Sequence, residues 1–461
     1  MFIMMFVVFI MGYVLIAQEH VVKIDKAAIA LLLGVAIWGF YIVGAPEILP
    51  GNAHYEHFIE THPQLSAGTS HSYVNFIAHH EIAEHLAEIA SIIVFLLAAM
   101  TIVELIDSHE GFRIITDRIT TTNKAKLLWM LSFISFFMSA ALDNLTTSIV
   151  MITLLKKLVT DNKRRWFFAS MIIIAANAGG AWSPIGDVTT IMLWIGGQVT
   201  ALNIISNLLI PSLITILVPL LIVTIGMKGN VTRPVSTIEL ETANHTKKWE
   251  RQSVFYLGVI LLMGVPVFKT LTGLPPYMGM LGALGILWIG TEMMHKRKSE
   301  ARKQEFTVTT ALKKVDFTSI LFFLGILLAV AGLQSAGHLR MLSHYLDENL
   351  HNIYTINLVI GVLSSIVDNV PLVAGAMGMY DVAGVGAEGY QSLFMQNGSF
   401  WEFLAYCAGT GGSILIIGSA AGVVVMGMLK IDFTWYLKRI SLLALVGYFA
   451  GALTYYGMSL L

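Results

Sequence analysis

Two Asp-Asn pairs lie deep in apolar sequence, Asp143-Asn144 in FMSAALDNLTTSIVMI and Asp368-Asn369 in GVLSSIVDNVPLVAGAM. A carboxylate at the centre of a membrane helix costs about 3 kcal/mol to insert, so such residues mark ion paths, proton relays or substrate sites. Each pair is followed by an apolar segment broken by glycine, Gly179-Gly180 with Gly186 and then Gly411-Gly412 with Gly418. The aspartates are 225 positions apart and the glycine pairs 232, so one costly device occurs twice. Carboxylate, carboxamide, hydroxyl and freed carbonyl oxygens are hard ligands, which suit a hard cation. A proton competes for the same carboxylates, because burial and like-charge repulsion both favour the neutral acid.

The elements that must hold these groups are membrane helices. Hydrophobic residues make up 56% of 461 and charged residues 12%, against about 25% charged in soluble domains. No soluble core could hide that much apolar surface, and many stretches approach the ~20 apolar residues that cross a bilayer. The formal net charge of -1 gives no basis for nucleic-acid binding. Cys407 is the single cysteine, which excludes an intrachain disulfide. Met1 to Ala17 lacks a basic stretch before it and an obvious small-residue cleavage site, so it reads as a first membrane helix and not a signal peptide.

Basic residues set the topology. They cluster at Lys23 and Lys26, Arg113 to Lys126, Lys156 to Arg165, Lys228 to Arg251, Lys296 to Lys314, and Lys430 to Arg439. Placing every cluster in the cytoplasm satisfies the positive-inside rule with two exceptions, Lys269 and Arg340. Leu127 to Leu155 then has basic clusters at both ends, so it should dip in and return as a hairpin (127–155) with Asp143-Asn144 at its tip. Irregular backbone at that depth is tolerated only when it is buried in protein or lines water. Ile353 to Met379 should re-enter from the other side, with Asp368-Asn369 at its tip (hairpin 353–379). The expected fold is all-α and polytopic. Residues 1–226 form a first repeat of five helices and one hairpin, with a broken helix at 166–199. Residues 227–251 form a polar cytoplasmic linker, and 252–461 an inverted second repeat with a broken helix at 401–429. Inverted repeats with a site at mid-membrane are a secondary-transporter build.

The first half offers Asp143, Asn144, Thr146 and Thr147 at the tip, then Asn177, Gly179, Ser183, Asp187 and Thr189 around the break. Two glycines and a Ser-Pro step cannot continue a stable helix without compensation. The break frees carbonyls at one half-helix end and N–H groups at the start of the next. Asp187 follows the break, where a negative charge is favoured by the helix N-terminus. The second half offers Asp368, Asn369, Gly411 and Ser413, with Ser419 aligned to Asp187. Asp143, Asn144, Asp368 and Asn369 are the expected sodium ligands. A carboxylate that holds either a proton or a sodium ion, but not both, is sufficient for antiport.

Other polar groups are secondary. Glu104, near the end of an apolar helix, is a candidate for a proton path. Seven histidines crowd the segment from His54 to His85, and histidine titrates near neutrality. Of these, His85 precedes an apolar helix and has Glu88 three residues on, on the same helical face, so this pair is the candidate for pH sensing. No HExxH or GxSxG motif appears, so an enzyme is not expected and neither is a cofactor.

The runs TIVELIDSHEGF, ALDNLTTSIVM and ANAGGAWSPIGDVTTIMLW resemble the NhaD-type sodium/proton antiporters of the ion transporter superfamily, from about His85 to the C-terminus. The resemblance implies a bacterial inner-membrane antiporter exporting Na⁺ or Li⁺ for protons, with roles in pH homeostasis and salt tolerance. It also implies a homodimer with a scaffold domain and a mobile, elevator-like transport domain. By that likeness the two tips and the Gly179 and Gly411 breaks are cation-site elements. The superfamily's dicarboxylate carriers show Ser-Asn-Thr at these tips, where this chain has Asp143-Asn144-Leu145 and Asp368-Asn369-Val370. An extra carboxylate repels an anion and supplies a proton acceptor, and no arginine is expected in the core to clamp a carboxylate substrate. A sodium- or proton-coupled anion transporter of the same architecture is the alternative.

Overall fold

The computed structural model describes residues 1–232, 246–296, 304, 306–350 and 352–460. Among them the secondary structure is helical, with two isolated bridges and no strand. Eight helices are long and apolar enough to cross a membrane, or nine if the bent pair Ala420–Leu429 and Phe433–Arg439 counts as one span. This is a polytopic helical membrane protein. Phe2–Ala17 is a shorter apolar helix. Most of the 227–251 linker falls on residues 233–245, which lie outside the described residues.

Eight helices frame the motifs. Lys124–Leu142 (α1) and Asn144–Leu158 (α2) are separated by Asp143 alone. Asn162–Ala181 (α3) and Val188–Ile195 (α4) flank the first glycine break. Ile353–Leu363 (α5) and Asn369–Met379 (α6) flank the second Asp-Asn tip, here with five intervening residues. Ser399–Gly411 (α7) and Ala420–Leu429 (α8) flank the second glycine break.

The α1–α2 pair doubles back on itself. The Lys124 N–H donates to Gly229 O at 3.1 Å, and the Thr160 N–H donates to Thr232 O at 3.1 Å. A segment of four residues, 229–232, spans at most about 11 Å, whereas α1 alone is about 28 Å long at 1.5 Å per residue. One short segment can therefore brace the start of α1 and the end of α2 only if both lie at the same end. Helix α3 packs against α1 and α2, and also against α7 and α8.

The chain divides into two compact units that do not follow the sequence halves. One comprises residues 1–94, 316–352 and 370–381, the other 95–315, 353–369 and 382–461. Each draws on both halves, so neither half builds a domain of its own. In the first unit Lys26–Ile48 lies along Phe317–Ser335. The contact is closest where Gly34 and Gly325 face each other's backbone, and Trp38 Nε1 donates to Leu328 O at 2.9 Å. Small residues that let backbones approach are the usual basis of helix packing in lipid. A Cβ on Gly325 would meet the Ala30–Leu31 backbone at 2.5 Å. Gly325→Val should therefore lower stability by about 1–3 kcal/mol through overpacking, read as a fall in melting temperature in detergent. An unshifted melting curve would contradict this packing.

Candidate functional site

Asp143 is both the C-cap of α1 and the N-cap of α2, with φ 78° and ψ 162°. That region of backbone space is essentially reserved for glycine, and holding another residue there costs on the order of 1–3 kcal/mol. The side chain offsets part of this by capping α2: Oδ1 accepts the Thr146 N–H at 2.7 Å and Oδ2 accepts the Thr146 hydroxyl at 3.0 Å. The conformation turns the chain within one residue and aims a carboxylate at a helix N-terminus, where negative charge is favoured.

Asp187 does the same for α4 across the first break. It is 2% exposed, its Oδ1 accepts the Thr189 N–H at 3.5 Å, and its Oδ2 accepts the Asn369 amide at 3.0 Å. Ser183 ties the break to the tip, donating to Ala140 O at 2.5 Å. At the second break Ser419 caps α8 by accepting the Gly422 N–H at 3.1 Å. Asn177, fully buried in α3, joins the two halves. Its amide donates to Ser413 Oγ and Ser419 Oγ, both at 2.9 Å, and its Oδ1 accepts the Asn144 amide at 3.2 Å.

The two halves repeat one another contact by contact. Ser139 donates to Ala176 O at 2.6 Å, and Ser364 donates to Ala408 O at 2.9 Å. Gly179 abuts the Phe136 backbone, as Gly411 abuts that of Gly361. Gly180 faces Gly186 and Asp187, while Gly412 faces Gly418 and Ser419. These pairs hold the spacing of 225 positions for the tip helices and 232 for the broken helices. Gly179 and Gly411 are required because the tip helix passes where a Cβ would stand, and Gly180 and Gly412 because the backbone of the break itself does.

The structure thus brings Asp143, Asn144, Asn177, Ser183, Asp187, Asn369, Ser413 and the glycine pairs into one connected constellation. Asp187 lies within electrostatic reach of both Asp143 and Asp368. Among the described residues no lysine or arginine forms an ion pair with Asp143 or Asp187. Thr146 is occupied with Asp143, whereas the buried hydroxyls of Thr147, Ser148 and Thr189 have no hydrogen-bond partner among the described residues. Unspent oxygens beside capped carboxylates make a set that could ligate a small hard cation.

The secondary candidates sit elsewhere. Glu104 pairs with Lys314 at 3.1 Å and accepts from Ser108 at 3.4 Å. His85 and Glu88 belong to the first unit, where His85 Nε2 is 3.0 Å from Ser335 Oγ and Glu88 is largely exposed. Sequence reasoning overlooked Ser139 and Ser364, whose matched positions were the available signal. It also overlooked Glu402, a carboxylate in an apolar run, which is 5% exposed and accepts from Asn207 at 2.8 Å and Tyr455 at 2.7 Å. That arrangement clasps three helices.

Apolar spans, two Asp-Asn tips and paired broken helices around clustered carboxylates define a membrane transporter. The family model described as citrate transporter, CitMHS, matches residues 4–396. Sodium/proton antiporter 1 of Arabidopsis thaliana is 43% identical over 98% of this chain and 71% of its own length, and sodium/proton antiporter 2 is 41% identical over 98% of each. The Na(+)/H(+) antiporter NhaD of Vibrio cholerae is 27% identical over 93% of this chain and 85% of its own length. The chain belongs to this family of ion transporters, with the NhaD-type sodium/proton antiporters among its relatives. It is a transporter family and not an enzyme family.

If the matched close approaches set the site, Gly411→Ala drives a methyl into the Gly361 backbone. The expected result is a loss of about 1–3 kcal/mol in stability together with impaired transport. A variant with wild-type melting behaviour and flux would remove that role from the contact.

Proposed function

We propose that the chain is a secondary Na⁺(Li⁺)/H⁺ antiporter that exports sodium in exchange for protons. The observation that carries this reading is the clustering of Asp143, Asp187 and Asp368 from both halves, with no cationic partner on Asp143 or Asp187 among the described residues. Carboxylates without a fixed counter-charge in low dielectric must find a mobile one, either a proton or a metal ion. Each ion excludes the other from the same oxygens, and that exclusion couples the two fluxes. The relatives from Arabidopsis thaliana and Vibrio cholerae carry names for this same exchange.

In the proposed cycle the aspartates release protons on the cytoplasmic side and take up sodium. The helices bearing the site then move as a body, in an elevator-like manner, and protons from outside displace the cation. The two halves are related as inverted repeats, with α1–α2 and α5–α6 entering from opposite faces. We propose a homodimer in a bacterial inner membrane; the NhaD-named relatives from Vibrio and Halomonas support the bacterial setting, against the higher identity of the two Arabidopsis relatives. Salt tolerance and pH homeostasis follow from exporting sodium.

The family model's description favours one rival, a carrier of a carboxylate anion such as citrate. The arginine fork is the usual clamp for a carboxylate anion, besides helix N-termini and bound cations. At Asp143 and Asp187 the residues bring negative charge instead.

Everted vesicles with a pH-sensitive dye separate the two. Adding Na⁺ or Li⁺ should dissipate the imposed proton gradient, and Asp143→Ala, Asp187→Ala and Asp368→Ala should each reduce that response to background. Citrate uptake without any sodium-driven proton movement would replace the antiport reading with the anion carrier.

A further inference from the structure

The two halves match closely enough that their differences are informative. Three positions face the second break from within: Asn177 from α3, and Ser413 and Ser419 from the broken segment itself. Their counterparts 232 positions away are Gly409, Ala181 and Asp187. In the second half an uncharged pocket of two hydroxyls receives the Asn177 amide, one bond of 2.9 Å to each oxygen. A carboxamide nitrogen has two N–H donors, so both are used here. In the first half the pocket oxygen is the Asp187 carboxylate. The residue opposite is Gly409, which brings no amide, and the side-chain amide on Asp187 comes instead from the second tip, Asn369 to Oδ2 at 3.0 Å. A Cβ built on Gly409 would stand 3.6 Å from Asp187 Oδ2 and 3.0 Å from Ala181 Cβ. Glycine has no side chain, so no donor is delivered to Asp187 from that position.

We propose that Asn177 is a resident substitute for a cation. Its amide occupies, in the second half, the counterpart of the place where a cation sits beside Asp187 in the first. The transport site is therefore lopsided: it takes one sodium ion, on the Asp187 side, and the Ser413–Ser419 pocket is closed by the protein itself. A polarised N–H₂ between two oxygens makes the same directional demand as a small cation, without carrying a net charge. This revises the sequence-based assignment of Asn177 and Ser413 as cation ligands. They hold the second pocket shut, and through Asn144 they tie that closure to the first tip. The inference rests on the antiport reading, and it adds the stoichiometry and the half of the repeat that binds.

Counting sodium decides it. Radioactive sodium bound to purified full-length protein, titrated at high pH to saturation, should reach one ion per chain. The double variant Asn177→Gly/Ser419→Asp installs the first half's pattern in the second and should raise the count to two. Ser419→Asp alone keeps the amide in place and should remain at one. Two ions on the wild type would overturn the inference while leaving antiport intact, and so would a folded double variant that stays at one. No bound sodium on the wild type would overturn the antiport reading and this inference with it. Should the double variant fail to fold, the wild-type count alone still decides the matter.

Discussion

The site turns on keeping Asp143 and Asp187 buried with no lysine or arginine ion-paired to them among the described residues. A buried charge lacking a partner is so unfavourable that proteins ordinarily pair it or neutralise it. Here Asp143 and Asp187 are instead held by helix N-termini, through the N–H groups of Thr146 and Thr189, and by the Asn369 amide. Such partial charges stabilise an anion by roughly 0.3–2 kcal/mol, far less than full pairing would. On the proposed antiport reading, the remainder comes from a proton or sodium ion that arrives and leaves. A site made too comfortable by a fixed cation would have nothing to exchange.

That requirement explains the broken helices. A continuous helix offers no N-terminus at mid-membrane, so one must be created there by stopping the helix and starting another. Stopping it exposes backbone groups that lipid cannot satisfy, which is why the breaks are enclosed by neighbouring helices. Ser139, Ser183 and Ser364 spend their hydroxyls on tip and break carbonyls, and paired glycines let the crossing segments touch. Asp143 takes the economy furthest. It accepts a glycine-like backbone so that one residue ends α1, caps α2 and presents the carboxylate.

The parts of this arrangement legible in the sequence were those with a large free-energy signature. An aspartate in an apolar run, a doubled glycine and a basic cluster each violate a strong expectation, so Asp143, Asp368, Gly179 and Gly411 stood out unaided. What stayed hidden were residues whose function lies in geometry. Ser139 and Ser364 are ordinary serines in apolar helices until their acceptors are known. Glu402 is a single acidic residue at the start of an apolar run, and only the fold shows it between Asn207 and Tyr455. The division into compact units was also beyond reach, because sequence order groups residues 1–226 together while packing interleaves both halves. The polar linker marks where the halves join along the chain and carries no information about which helices touch.

The broken symmetry is the part with mechanistic content. Two identical halves would make two equal pockets, and two carboxylate pockets side by side would repel each other across a low dielectric. Replacing one carboxylate with Ser419 removes that repulsion but leaves two hydroxyls needing partners, and an unsatisfied buried hydroxyl costs about 1–3 kcal/mol. Asn177 meets both at once, and its carbonyl is taken by Asn144, so no polar atom of its side chain is left over. On that proposal the second break is an uncharged counterpart of the first, with the second half's carboxylate left at its tip, Asp368. The second half supplies the Asn369 donor to the pocket at the first break, whose carboxylate is Asp187, so that pocket is built from both halves.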